Sequence, residues 1–267
     1  MDVFNIDRRI VHFGIAGAVV AGLWVADSSL AMHAEHNVAQ TAKHHSQLEN
    51  TPDVYVGGLP VSAAMFTKEV PFLEVKSQDI EVPELGVVNA ATTLRDITVT
   101  PNQVISGDFA GAPVSTYTRG INIDSIVLGR LLGISDLSIS NPDDISPAGG
   151  PSAEAELTGT LPGDADESTV KVTLRLDGHM FHMKPFDTDD ERLIEAFSFS
   201  FDTRKLPLPA QATYVRLQGG TIAFETQQRN IRLENAQLSP LEIQGSEAAA
   251  IEEAENKAAD TERRVGR

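Results

Sequence analysis

The chain of 267 residues contains no cysteine. That excludes disulfides, thiolate catalysis and cysteine-ligated zinc or iron–sulfur sites. It leaves an oxidising compartment open, because a domain this large needs no covalent staples. Basic residues are scarce too: 21 Lys and Arg stand against 38 Asp and Glu, a formal charge of -17. Nucleic-acid binding needs Lys and Arg in patches, and adsorption to anionic headgroups needs a positive surface. Both are disfavoured, so any lipid contact has to come from an apolar surface or cavity. Acidity in itself keeps an exported protein soluble. Aromatic residues are few, with Phe the commonest and Trp24 the single Trp.

Signatures of catalysis are missing as well. There is no Gly-rich phosphate loop, zinc-protease helix or nucleophile elbow. No catalytic residue, cofactor or metal is expected, and the protein is read as a non-enzyme. His179 and His182 suggest a metal pair at first, but residues three apart on a strand point to opposite faces. Strand parity continued from Val170 puts His182 on the apolar face and His179 on the polar one. Asp187, Asp189, Asp190 and Glu191 read as a solvated turn rather than a calcium loop, lacking the Gly spacing of one.

The first 50 residues describe delivery to the far side of a membrane. Arg8 and Arg9 precede an apolar run at 10–26, interrupted only by His12 and glycines, and Asp27 closes it. As a helix the run is about 25 Å long, near the lower limit for a hydrocarbon core of about 30 Å. The Arg pair sets its N-terminus in the cytoplasm. Residues 1–31 fit a signal peptide and a signal anchor equally, and Ser29-Leu30-Ala31 offers a cleavage site ahead of Met32. Either way the rest is expected to be exported, to a periplasm-like space or the outer face of the cytoplasmic membrane. Uncleaved, residues 10–26 make the membrane a partner. Residues 32–50 are polar and helix-compatible with a thin apolar face, and predict a solvated stalk. His33, His36, His44 and His45 lie there without a matching carboxylate.

Residues 51–245 read as one α+β domain, with possible halves at 51–140 and 152–245. Val54-Tyr55-Val56 is a short strand released by Gly57-Gly58. Pro60 opens a short helix carrying Val61, Met65 and Phe66 at helical spacing. Leu73, Val75 and Ser77 lie on one parity and Ile80 and Val82 on the other, which predicts a bulge. Residues 88–99, 104–109 and 114–123 continue as strands. Asp124 or Ser125 caps a helix over Ile126, Leu128, Leu131 and Leu132 that Gly133 stops; being apolar on most sides, it is expected to be buried. Residues 141–152, rich in Pro, Gly and Asp, are a loop or boundary. Val170 to Leu176 alternate as a half-buried strand. Phe197, Phe199 and Phe201 form an aromatic stripe, and Gly219-Gly220 turns a hairpin. Residues 246–267 predict a disordered acidic tail.

The composite is a large curved antiparallel sheet around one or two helices. Such an arrangement leaves room for an apolar cleft. Val61, Met65, Phe66, Ile126, Leu128, Leu131, Leu132, Phe197, Phe199 and Phe201 are the candidates for contact with an acyl chain. For any one of them, ordinary core is the commoner role.

Three passages carry a resemblance: Asp53-Val54-Tyr55-Val56-Gly57-Gly58-Leu59-Pro60; Phe72-Leu73-Glu74-Val75 leading to Asp79-Ile80-Glu81-Val82; and the strand-to-helix passage at 123–133. With the membrane segment and polar helix before them, they resemble the LmeA-like family of exported phospholipid-binding proteins of bacteria with mycolic-acid envelopes. The resemblance covers about residues 38–243. It implies a fold related to tubular lipid-binding proteins, a phospholipid or polyprenyl-type lipid as partner, and a supporting role in assembly of lipomannan-type envelope lipoglycan. Two other functions stay open: an enzyme acting on envelope glycolipids by glycosyl transfer or hydrolysis, and a membrane-anchored structural or interaction module.

Overall fold

The structure is a computed structural model that describes residues 8–46, 50–58, 60–82, 85–142 and 149–241, with side chains from residue 17 onward. The expected tail at 246–267 lies outside the described residues, as do Leu59 and residues 143–148 of the 141–152 stretch. The chain begins with helix α1 (Arg8–Ser46), strand β1 (Asp53–Gly57), a 3-10 turn (Val61–Ala63), α2 (Ala64–Thr67), β2 (Glu69–Val82), β3 (Gly86–Thr98), α3 (Pro101–Ser106) and β4 (Pro113–Ile123). It continues through α4 (Ser125–Leu132), β5 (Ser138–Ser140), β6 (Ser152–Gly159), β7 (Ser168–Asp177), β8 (Met180–Pro185), α5 (Glu191–Ala196), β9 (Phe199–Asp202), β10 (Tyr214–Gln218) and β11 (Thr221–Arg232). This is the expected α+β class built on antiparallel strands. The strands form two sheets, in the orders β1-β2-β3-β4-β11-β10 and β5-β6-β7-β8-β9.

Bulges interrupt the first sheet's long strands. In β2 the buried positions run Leu73, Val75, Ser77 and then skip to Ile80 and Val82, with Asp79 at φ 56 between them, the expected bulge. β3 repeats the device: Leu94 and Ile97 are buried on either side of Asp96 at φ 53. Aspartate tolerates the left-handed region better than most side chains. Each extra residue bends its strand and raises its twist.

The chain divides into two compact units. Unit 1 comprises residues 1–77, 92–118 and 228–239, and unit 2 comprises 78–91, 119–227 and 240–267. In unit 1, α1 packs against β1, α3 and the 3-10 turn at Val61–Ala63. Ala34, Val38 and Ala42 recur every four residues on one buried face of α1 and join a core with Leu73, Leu94 and Tyr117. This corrects the solvated stalk expected over 32–50. The face looked thin because its side chains are small, and small side chains let backbones approach. Gly107, at φ +68, shows how close: a Cβ there would sit 2.6 Å from Ala34 Cα. Polar bonds fasten the same helix along its flanks. Glu35 Oε1 accepts from Val56 N at 3.1 Å, and Asn37 Nδ2 donates to Ser106 O at 2.5 Å. Among the described residues no helix is long and apolar enough to cross a membrane; the run at 10–26 has described side chains only from Gly17.

The strand expected over 104–109 is replaced by α3. Thr100 and Gln103 form a reciprocal capping box, Pro101 occupies the first turn, and Gly107 closes the helix. Three terminal signals in one short stretch outweigh the β propensity of Val104 and Ile105.

In unit 2, registers through β5–β9 place Ile139, Leu157, Val170, Leu174, Phe181 and Met183 on one face and charged or hydroxyl side chains on the other. β10 packs against β6 and β7. His182 belongs to the polar face, where its Nδ1 lies 2.9 Å from Ser200 Oγ, not to the apolar face expected for it. The tight β7–β8 turn at Gly178-His179 resets the parity. Among the described residues no cluster of three or more metal-ligating side chains exists. Asp190 caps α5, accepting from Arg192 N at 2.9 Å.

Candidate functional site

A cleft of about 270 Å³ lies in unit 1 where β1 hands over to β2. Gly57, Gly58, Pro60, Val61, Ala64, Val70 and Pro71 line most of it, with Thr67 and Glu69 as its polar members. Local sequence builds each wall. Antiparallel pairing of β1 with β2 ends at Gly57 opposite Phe72. Gly58 then adopts φ +97, and a Cβ there would stand 2.8 Å from Pro71 Cδ, so only glycine lets the chain pass this close. Pro60 is extended (φ -74, ψ 142) and leads into the 3-10 turn. α2 follows at once and stops at Lys68, which is left-handed at φ 59. Lys68 O accepts from Val99 N at 2.9 Å, which fixes the return into β2.

The turn's first amides are held from α1. Asp27 Oδ2 accepts from Val61 N at 3.0 Å and Oδ1 from Ser62 N at 2.6 Å. Burial pushes the Asp27 carboxyl up, but the bonds from Ser62 and Val61 outweigh it and hold it below the ordinary carboxylate value. A carboxylate on one helix thereby performs the N-cap role for the next element.

The lining is apolar and carries one ionisable group, Glu69. Among the described residues, no pair of carboxylates and no nucleophile–base pair lines it. What it can do is exclude water from an alkyl segment. Small-molecule sites run from about 300 to 1,000 Å³, so this cleft takes a portion of a lipid rather than all of one.

Of the residues singled out from the sequence, Val61 is buried and lines the cleft. Met65 is partly buried against the unit 1 core, and Phe66 is 87% exposed on α2; neither is a wall of the cleft. The others belong to unit 2. α4 is capped by Asp124, which accepts from Val127 N at 2.8 Å, and closed by Gly133. It is not the buried helix expected: Leu128 is buried, Leu131 and Leu132 are intermediate, and Ile126 is 71% exposed. Phe197 is buried at the C-terminus of α5, outside the strand of its two neighbours. Phe199 and Phe201 on β9 share a face, rings 5.7 Å apart, and are half-buried. Phe201 also meets Phe181 at 5.4 Å and Phe224 at 5.2 Å. β9 is an edge strand, so this aromatic group ends at the rim of its sheet. Sequence reasoning missed Gly57, Gly58 and Pro71 as walls and Asp27 as a cap. The glycine pair and prolines were visible as a chain reversal, but a carboxylate reaching from residue 27 to residue 61 left no local signal.

An apolar cleft formed by a strand-to-helix reversal, on an α+β frame of antiparallel sheets, has the surface to receive an apolar ligand. The model of the LmeA-like phospholipid-binding family matches residues 25–227, and the chain belongs to that family. The matched segment contains the cleft, Asp27 and the aromatic group of unit 2. Neither the curated proteins nor the solved structures contain a match to the chain.

Proposed function

We propose that this is an exported lipid carrier that holds part of a phospholipid or polyprenyl-type lipid in the cleft at residues 57–71. It presents the head of that lipid for assembly of lipomannan-type envelope lipoglycan and performs no covalent chemistry itself. The observation that carries this reading is the apolar cleft inside the segment matched by a phospholipid-binding family. Burying an alkyl chain contributes about 0.8 kcal/mol per methylene. A segment of about six carbons therefore contributes roughly 5 kcal/mol before the cost of immobilising it. That suits a carrier, which must also release its ligand.

The test is native mass spectrometry of the purified full chain, with the bound lipid extracted and identified. Wild type is expected to carry lipid. Ala64→Trp, which fills the cleft, is expected to lower lipid occupancy at least about tenfold. Protein free of lipid, or full occupancy in the filled variant, would overturn the assignment to this cleft.

A further inference from the structure

α1 is one continuous helix from Arg8 to Ser46, yet its stretches meet different surroundings. Residues 17–26 are all exposed, including Val20 at 67%, Leu23 at 66% and Trp24 at 71%, and none is charged. At Asp27 the pattern reverses. Asp27 is buried and bonded to the Val61 and Ser62 amides, Leu30 and Ala31 pack on the unit 1 core, and Ala34 is buried within it.

Residues 29–31 form the cleavage site that a signal peptide would use. Cleavage there would remove Asp27, Leu30 and Ala31 from a folded unit and strip two turn amides of their acceptor. The family match begins at residue 25, ahead of that site, so these residues lie inside the matched segment.

We propose that residues 1–31 stay on the chain, and that the apolar sleeve at 17–26, continuous with the run from Ile10, is embedded in a lipid bilayer. The sleeve's circumference selects this occupant. Successive helix positions turn by about 100°, so the sleeve is apolar on every side. A protein partner or second copy needs one apolar stripe with a polar back; a helix apolar all round belongs in a membrane or a large core. Arg8 and Arg9 before it and Asp27 after it mark the polar ends, and Trp24 stands next to the border, where interfacial Trp is favoured. Val61, bonded to Asp27, is also a wall of the cleft. The cleft therefore lies at the level where the sleeve leaves the bilayer. This placement of the cleft rests on the lipid-binding reading; the retention of the helix does not.

The full chain is produced in a bacterial host with Sec-type export, the cells are fractionated, and the intact mass is measured. The expected product includes residues 1–31 and stays in the membrane fraction through an alkaline carbonate wash. A product beginning at Met32 in the soluble fraction would overturn the proposal. In parallel, full-length protein is reconstituted with phosphatidylcholine vesicles and floated. Leu23→Glu with Trp24→Glu, both at exposed positions, is expected to cut the floated fraction at least about tenfold with an unchanged melting temperature. Equal flotation of variant and wild type, or a wild type that stays in lipid-free buffer as a soluble oligomer, would overturn it. If the variant melts early, the intact mass decides. The intact mass and the carbonate wash report on the anchor, whereas lipid extracted from the purified chain reports on the carrier, so failure of the anchor and failure of the carrier reading are separable.

Discussion

Asp27 shows how much one side chain can settle. Its two amide bonds span 34 and 35 residues of sequence, so they report tertiary structure and not local propensity. Hydrogen bonds to a charged group contribute about 1.5–3 kcal/mol each when well buried. Asp27→Asn keeps the shape and loses the charge, and is expected to lower stability by about 1–2 kcal/mol in urea unfolding. The pH dependence carries a sign. The folded carboxyl lies below its unfolded value, so its contribution is complete above about pH 4 and is lost as pH falls through the folded value. The gap between wild type and Asp27→Asn is therefore expected to be constant from about pH 5 to 7 and to close below about pH 4. A constant gap down to about pH 2 would show that the charge has no part in the cap. Asp202 titrates in the same direction, held at about 2 by the Arg204 side chain. Asp202 is present in both proteins, so its titration cancels from the gap between wild type and Asp27→Asn.

At the scale of elements, local signals were legible wherever they named their own partner. Asp124 and Gly133 bounded α4 correctly because a cap and a stop lie within the helix's own sequence. The alternation of Val170, Val172, Leu174 and Leu176 marked β7 because one face of its sheet is buried. The Ser77–Ile80 parity shift marked a real bulge. Signals failed where a neighbour decides the outcome. Ala34, Val38 and Ala42 look like a weak stripe until Gly107 is known to sit against Ala34 and the unit 1 core against all three. Gly107→Ala tests that contact. It adds a methyl at φ +68 and 2.6 Å from Ala34 Cα, combining left-handed strain of about 1–2 kcal/mol with overpacking of about 1–3 kcal/mol. Thermal and urea unfolding are expected to show a loss of about 2–5 kcal/mol. A loss under about 0.5 kcal/mol would mean α1 can pivot away from α3 at little cost.

For the whole molecule, charge sets the terms of the membrane contact proposed above. The Gly57-Gly58 and Pro60 reversal was legible as a joint, and Val61 was among the residues named beforehand, but the cleft arises from its apposition to Val70 and Pro71, which no local pattern encodes. The net charge of -17 could be read directly from composition, and its consequence is testable at the same scale. An acidic protein is repelled by an anionic surface, so attraction has to come from apolar burial, which salt does not screen. Repulsion reaches about 30 Å at 10 mM salt and about 8 Å at physiological ionic strength. Flotation of the full chain with vesicles rich in phosphatidylglycerol is therefore expected to rise as salt increases over that range, and flotation with phosphatidylcholine to stay level. A protein drawn to membranes by basic patches does the opposite, since salt weakens its attraction. Binding to anionic vesicles that falls with salt would show that a local basic surface outweighs the overall charge, and that apolar burial is not what brings this protein to lipid.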